Sequence, residues 1–131
     1  MHQTLKMVKK NIFSILVALL IMYLSLTGSD TFEKVSFFNI PFLDKIVHFG
    51  MYFVLMSVMI FENRKTLKST LHLFLIALIP LFYGILMEIL QLILTVSRSG
   101  SFYDVIFNSA GILVSLLLWL WVKPLIKETI R

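Results

Sequence analysis

Tyr83-Gly84-Ile85-Leu86-Met87-Glu88-Ile89-Leu90-Gln91 lies inside an apolar run, flanked by Leu71 to Ile79 on one side and Leu92 to Leu94 on the other. A charged side chain at the centre of a membrane helix costs about 2.5–3.5 kcal/mol, and less toward the interface. Glu88 and Gln91 stand one helical turn apart in surroundings that suit neither. They need partners or a task, and the rest of the chain is read for what it brings to them.

The chain has 131 residues, 59% of them hydrophobic, and a mean hydropathy of +0.93. A soluble domain of this length has too much surface per unit volume to hide that much apolar area. The composition therefore predicts an integral membrane protein. The net charge of +5 comes from residues outside the apolar runs. No basic stripe alternates with aromatics, so no nucleic-acid partner is expected. With no Cys, disulfides, thiolate catalysis and Cys-ligated metals are excluded.

Four apolar segments are long enough, or nearly so, to cross the hydrocarbon, which takes about 17–25 residues. They run over about 11–27, 45–61, 70–94 and 104–122. The expected fold is all-α, a four-helix transmembrane bundle, with 1–131 as a single membrane domain. Met1 to Lys10 reads as a polar head and Lys123 to Arg131 as a polar tail. The first span has a basic start, an apolar middle and small residues near Ser25, as a signal peptide does, but is expected to be retained. Pro80 predicts a kink in the third span. The loop from Gly28 to Leu43 holds Phe32, Phe37, Phe38 and Phe42 and is expected to lie against headgroups.

Orientation follows from the cations in the flanks. Lys6, Lys9, Lys10, Arg64, Lys65, Lys68, Lys123, Lys127 and Arg131 fall on one side, against Lys34, Lys45 and Arg98 on the other. Cytoplasmic loops carry the excess of Lys and Arg, so both termini are expected in the cytoplasm. Asp44, Lys45, His48, Glu88, Gln91, Asp104 and Asn108 then all belong to the extracytoplasmic leaflet. Counting 1.5 Å per residue, Glu88 lies about 9 Å inside its span, and His48 and Asn108 about 5–6 Å inside theirs. Asp44, His48 and Tyr52 share one helical stripe, as do Gly84, Glu88, Gln91 and Thr95, and Asp104, Asn108, Gly111 and Ser115. Gly111 and Ser115 form a small-xxx-small pair that favours close helix contact. Three polar stripes at one depth predict a polar pocket open to the outer face.

Asp44-Lys45-Ile46-Val47-His48-Phe49, Tyr52, Tyr83-Gly84 with Glu88 and Gln91, and then Arg98, Asp104, Asn108 and Gly111 follow in an order that resembles the VanZ-like family of small bacterial membrane proteins. The resemblance covers roughly residues 40 to 118. Ser115 stands where many relatives have a second glycine. The resemblance implies a multi-pass protein of the bacterial cytoplasmic membrane, associated with reduced sensitivity to the glycopeptide teicoplanin. Its expected partners are membrane lipids and a lipid-linked cell-wall precursor or glycopeptide.

Within that frame Glu88 and His48 are the working pair, a carboxylate and an imidazole able to exchange a proton. Lys45 and Arg98 would hold an anionic group, Arg98 through its planar fork. Asp44, Gln91, Asp104 and Asn108 would order the site. Each has a blander role available: helix glue for Glu88, His48, Gln91 and Asn108, headgroup snorkelling for Lys45 and Arg98, and an N-cap for Asp104. A metal bound by Asp44, His48, Glu88 and Asp104 would have one histidine and no H-E-x-x-H spacing, so no metal and no cofactor are expected. No spacing identifies a reaction. A proton-coupled transporter would use Glu88 as its carrier, but no polar stripe reads in the cytoplasmic leaflet. A structural or partner protein would use the polar set only to join helices. Oligomeric state cannot be read from the chain.

Overall fold

The computed structural model describes residues 1–27, 43–95 and 102–130, with side chains described as far as residue 124. Five helices make up the described residues: α1 (His2–Lys10), α2 (Ile12–Leu26), α3 (Leu43–Asn63), α4 (Thr70–Leu94) and α5 (Phe102–Ile130). Three are long and apolar enough to cross a membrane: α3, α4 and Phe102–Pro124 of α5. The first expected crossing differs. α2 has 15 residues, about 22 Å of helix, short of the ~30 Å hydrocarbon core. It reaches spanning length only together with α1, and the pair is bent by 71°.

That bend has a local cause. Asn11 leaves helical geometry at φ −111°, ψ 27°. Its side chain donates to the Met7 carbonyl at 3.1 Å and accepts from Asn63 Nδ2 at 2.8 Å. Glu62 then caps the fresh N-terminus of α2. Its two carboxylate oxygens accept from Phe13 N at 2.8 Å and Ser14 N at 3.1 Å, and the Ser14 hydroxyl donates to it as well. A carboxylate at a helix start satisfies orphan N–H groups and the positive end of the dipole. Replacing Glu62 with alanine is expected to lower stability by about 1–2 kcal/mol, read as the shift in an unfolding curve of the purified protein in mild detergent.

α3 and α5 form the most extensive contact in the fold, and α2 packs on α3 and α4. Glycine sets the α3–α5 distance. A Cβ on Gly111 would fall 2.3 Å from the carbonyl oxygen of Phe49, so the two backbones touch there. Further along the same seam the Ser57 and Ser115 hydroxyls hydrogen-bond at 2.7 Å. A serine in place of the second small residue thus keeps the contact close and adds a polar link. Ile21, Tyr52, Leu55, Met56, Ile60, Leu73, Ile112 and Leu116 fill the interior. Leu78, Phe82, Ile89 and Ile93 on α4 are 42–71% exposed, as expected of side chains that face lipid.

The third span matches its expected bounds and runs unbroken through the buried Pro80. Ser69 caps it, its hydroxyl accepting from His72 N at 3.2 Å. Two polar ends depart from expectation. The head of the chain is a helix, and α5 continues past Lys123 through Pro124 to Ile130. The 28–42 loop, with its phenylalanines, lies outside the described residues.

Candidate polar site between three helices

At the end of the bundle away from α1, α3 contributes Lys45 and His48, α4 contributes Glu88, and α5 contributes Asp104 and Asn108. The i, i+4 spacing of Asp104 and Asn108 aims both inward from one stripe. His48, Glu88, Asp104 and Asn108 are 2–5% exposed, so the set is truly interior. His48 Nδ1 lies 3.1 Å from Asn108 Oδ1 and 3.6 Å from Glu88 Oε1. An amide oxygen can only accept, so this contact places a proton on Nδ1. His48 Nε2 faces Asp104 Oδ2 at 3.9 Å. Lys45 Nζ reaches Asp104 Oδ1 at 3.4 Å and Asp44 Oδ2 at 3.6 Å. Two carboxylates, an imidazole and an ammonium balance one another, and this is how apolar surroundings tolerate them.

Helix packing makes room for the set. A Cβ on Gly84 would lie 3.1 Å from the Tyr52 ring and 3.2 Å from Asn108 Nδ2. Tyr52 is 1% exposed, and its hydroxyl and Asn108 Nδ2 have no hydrogen-bond partner among the described residues. They are polar atoms directly beneath the cluster that a bound group could satisfy. Chemically, the imidazole can pass a proton between Glu88 and Asp104, and Lys45 supplies the cationic rim.

Two expected members stand apart. The Asp44 side chain is 56% exposed and meets Lys45 at the rim, not the His48 ring. Gln91 is buried, but its Nε2 donates to the Ser25 carbonyl of α2 at 2.7 Å, which ties α4 to α2. Asp104 lies within the first turn of α5, two residues after the helix begins, so it is not the cap. Arg98 lies outside the described residues. One ligand atom from each of His48, Glu88 and Asp104 lies within 4.8 Å of the other two; these are residue types zinc accepts, but bonds of about 2.0–2.2 Å would need them closer together. The carboxylates also approach opposite ring nitrogens. That suits an imidazole held between two anions better than three ligands converging on one ion.

A second polar group was not legible as such in the sequence. Asn11, Ser14, Glu62 and Asn63 meet at the α1 end of the bundle, the end where no polar stripe was expected. Tyr83 donates to the Ala18 carbonyl between the two groups.

Apolar helices long enough to span a bilayer, with ionisable groups turned inward, define a multi-pass membrane protein with a buried polar cluster. The VanZ/LLP1 family model matches residues 3–123, and the chain belongs to that family. No curated protein and no solved structure matches it.

Proposed function

We propose that this chain is a four-span, single-domain protein of the bacterial cytoplasmic membrane, with both termini in the cytoplasm. Its fourth crossing is α2, with α1 bent away from it at Asn11 to lie at the cytoplasmic surface. The cluster of His48, Glu88, Asp104 and Asn108 would then lie in the extracytoplasmic leaflet and bind or modify a cell-envelope component with an anionic group, such as a lipid-linked phosphate. Lys45 and Arg98 meet the anion. Glu88 and His48 exchange a proton or hydrogen bonds with the ligand's hydroxyl groups, and Asp104 and Asn108 hold the ring. The observation that carries this reading is the burial of four polar or ionisable side chains from three helices at one end of an apolar bundle. Interhelical hydrogen bonds in membranes average only ~0.6 kcal/mol, too little for joining helices alone to repay that burial.

The association of the family with teicoplanin supplies the test. Cells expressing the wild-type chain are compared with cells expressing Glu88→Gln, which keeps shape and hydrogen bonding but removes charge, and with His48→Ala. At matched membrane levels, both variants are expected to lose any decrease in teicoplanin susceptibility that the wild type confers. Retention of the effect by both variants rejects the site. Loss of the protein from the membrane instead supports the structural reading. The transporter reading regains a polar group at the α1 end, but the space adjoining that group is walled mainly by Leu55, Met59, Ile76, Ile79 and Pro80, which is poor ground for a water chain.

A further inference from the structure

Between α2, α3 and α4, at the α1 end, is a cavity of about 300 Å³. Its walls are Ile15, Leu55, Met59, Ile76 and Pro80, and its polar residues Asn11, Ser14 and Asn63 gather toward one end. The residues adjoining that end in the chain are cations, Lys10 at the end of α1 and Arg64 just after α3. Lys6, Lys9, Lys10, Arg64, Lys65 and Lys68 are all exposed. Glu62, a carboxylate beside them, is bound to the start of α2 and to Ser14, and its one negative charge leaves these cations in excess. Lys10 Nζ donates to Thr66 Oγ1 at 3.3 Å, which binds α1 to the α3–α4 turn and makes the two basic segments one edge.

α1 has the form of a helix that lies in an interface. Met1, Leu5 and Val8 recur at intervals of four and three, one stripe, while Lys6 and Lys10 lie on the other side and His2 and Lys9 flank it. None of its residues is buried, and Leu5 and Val8 are 52% and 43% exposed. The 71° bend at Asn11 turns α1 away from the axis of α2, and a basic amphipathic helix with that geometry rests among headgroups.

We propose that this cavity and its basic edge bind an anionic phospholipid from the leaflet that α1 faces, one acyl chain filling the apolar space and the phosphate meeting Lys10, Arg64 and their neighbours. A cavity near 300 Å³, mostly apolar with a few polar groups at its mouth, matches the usual build of a small-ligand site. It is separate from the His48 cluster: Asn63 is fifteen residues along α3 from His48, about 22 Å.

The test uses the full chain in phosphatidylcholine vesicles containing a trace of chain-spin-labelled phosphatidylglycerol or phosphatidylcholine, with the immobilised fraction read by electron paramagnetic resonance. A lysine near an anionic surface is worth about a fivefold preference, so phosphatidylglycerol should be selected at least that strongly. The combined change Lys6→Gln, Lys9→Gln and Lys10→Gln should reduce the preference by about fivefold or more. Ala18→Leu, which fills the cavity, should reduce the immobilised fraction of both labels. If circular dichroism shows Ala18→Leu to be misfolded, Ile76→Phe takes its place. Equal immobilisation of the two labels by the wild type overturns the proposal. So does an unchanged fraction in a folded cavity-filled variant, or displacement of the label by millimolar glycerol phosphate, which would indicate a site for soluble phosphate.

Discussion

Replacing Asp104 with alanine is expected to cost about 3–5 kcal/mol of stability, the usual penalty for removing one member of a buried charge set. Asp104 is 5% exposed, and its carboxylate faces the Lys45 ammonium at 3.4 Å and the His48 ring at 3.9 Å. Without it, Lys45 loses its buried partner and is left with the exposed Asp44, and Nε2 of the ring loses its carboxylate. Asp104→Asn should cost less, because the amide still fills the space and can hydrogen-bond. Unfolding of purified protein in mixed micelles, with the three forms compared at one pH, reads the difference. Equal stability of wild type and Asp104→Ala would mean that water, and not the protein, compensates these charges.

The second large effect is steric. Gly111→Ala places a methyl group where Phe49's carbonyl oxygen would be 2.3 Å away and Phe53 N 3.0 Å away. Neither neighbour is a flexible side-chain tip, so α3 and α5 must separate. Overpacking of this kind costs about 1–3 kcal/mol. The consequence extends beyond stability, because the same seam sets the distance between His48 on α3 and Asp104 and Asn108 on α5. Gly111→Ala is therefore expected to weaken the His48–Asn108 contact as well as lower the unfolding midpoint. Gly50, with nothing within 4 Å of an added Cβ, is the matched control: Gly50→Ala should leave the midpoint unchanged or raise it, since alanine is the better helix former.

What the sequence carried was periodicity. Glu88, His48, Asp104 and Asn108 could be placed together because a polar residue recurring every fourth position in an apolar helix marks a face, and short connections force such faces toward one another. What it did not carry were contacts whose partner is backbone. Gln91 reads as a neighbour of Glu88, but its donor is used on Ser25's carbonyl, and a carbonyl has no residue type to betray it. Glu62 reads as part of a basic turn, and only the placement of α2 shows it capping a helix about fifty residues earlier in sequence. The α1 helix is hard to read for a different reason. Its lysines read as a polar head, and the Met1, Leu5, Val8 stripe shows only at the spacing of a helix. Asp44 shares His48's stripe, yet at the first turn of α3 it is near enough to the helix end to turn outward to Lys45.

The proposed site requires side chains of different helices to form one coupled set. A double-mutant cycle tests this directly, using His48→Gln on α3, Glu88→Gln on α4 and the combination, with unfolding free energies measured in the same micelles. Groups 3.6 Å apart in one network should couple by at least about 1 kcal/mol, within the ~0.5–3 kcal/mol range for residues in contact. Additivity within ~0.3 kcal/mol, the behaviour of independent sites, would contradict the cluster and the function built on it.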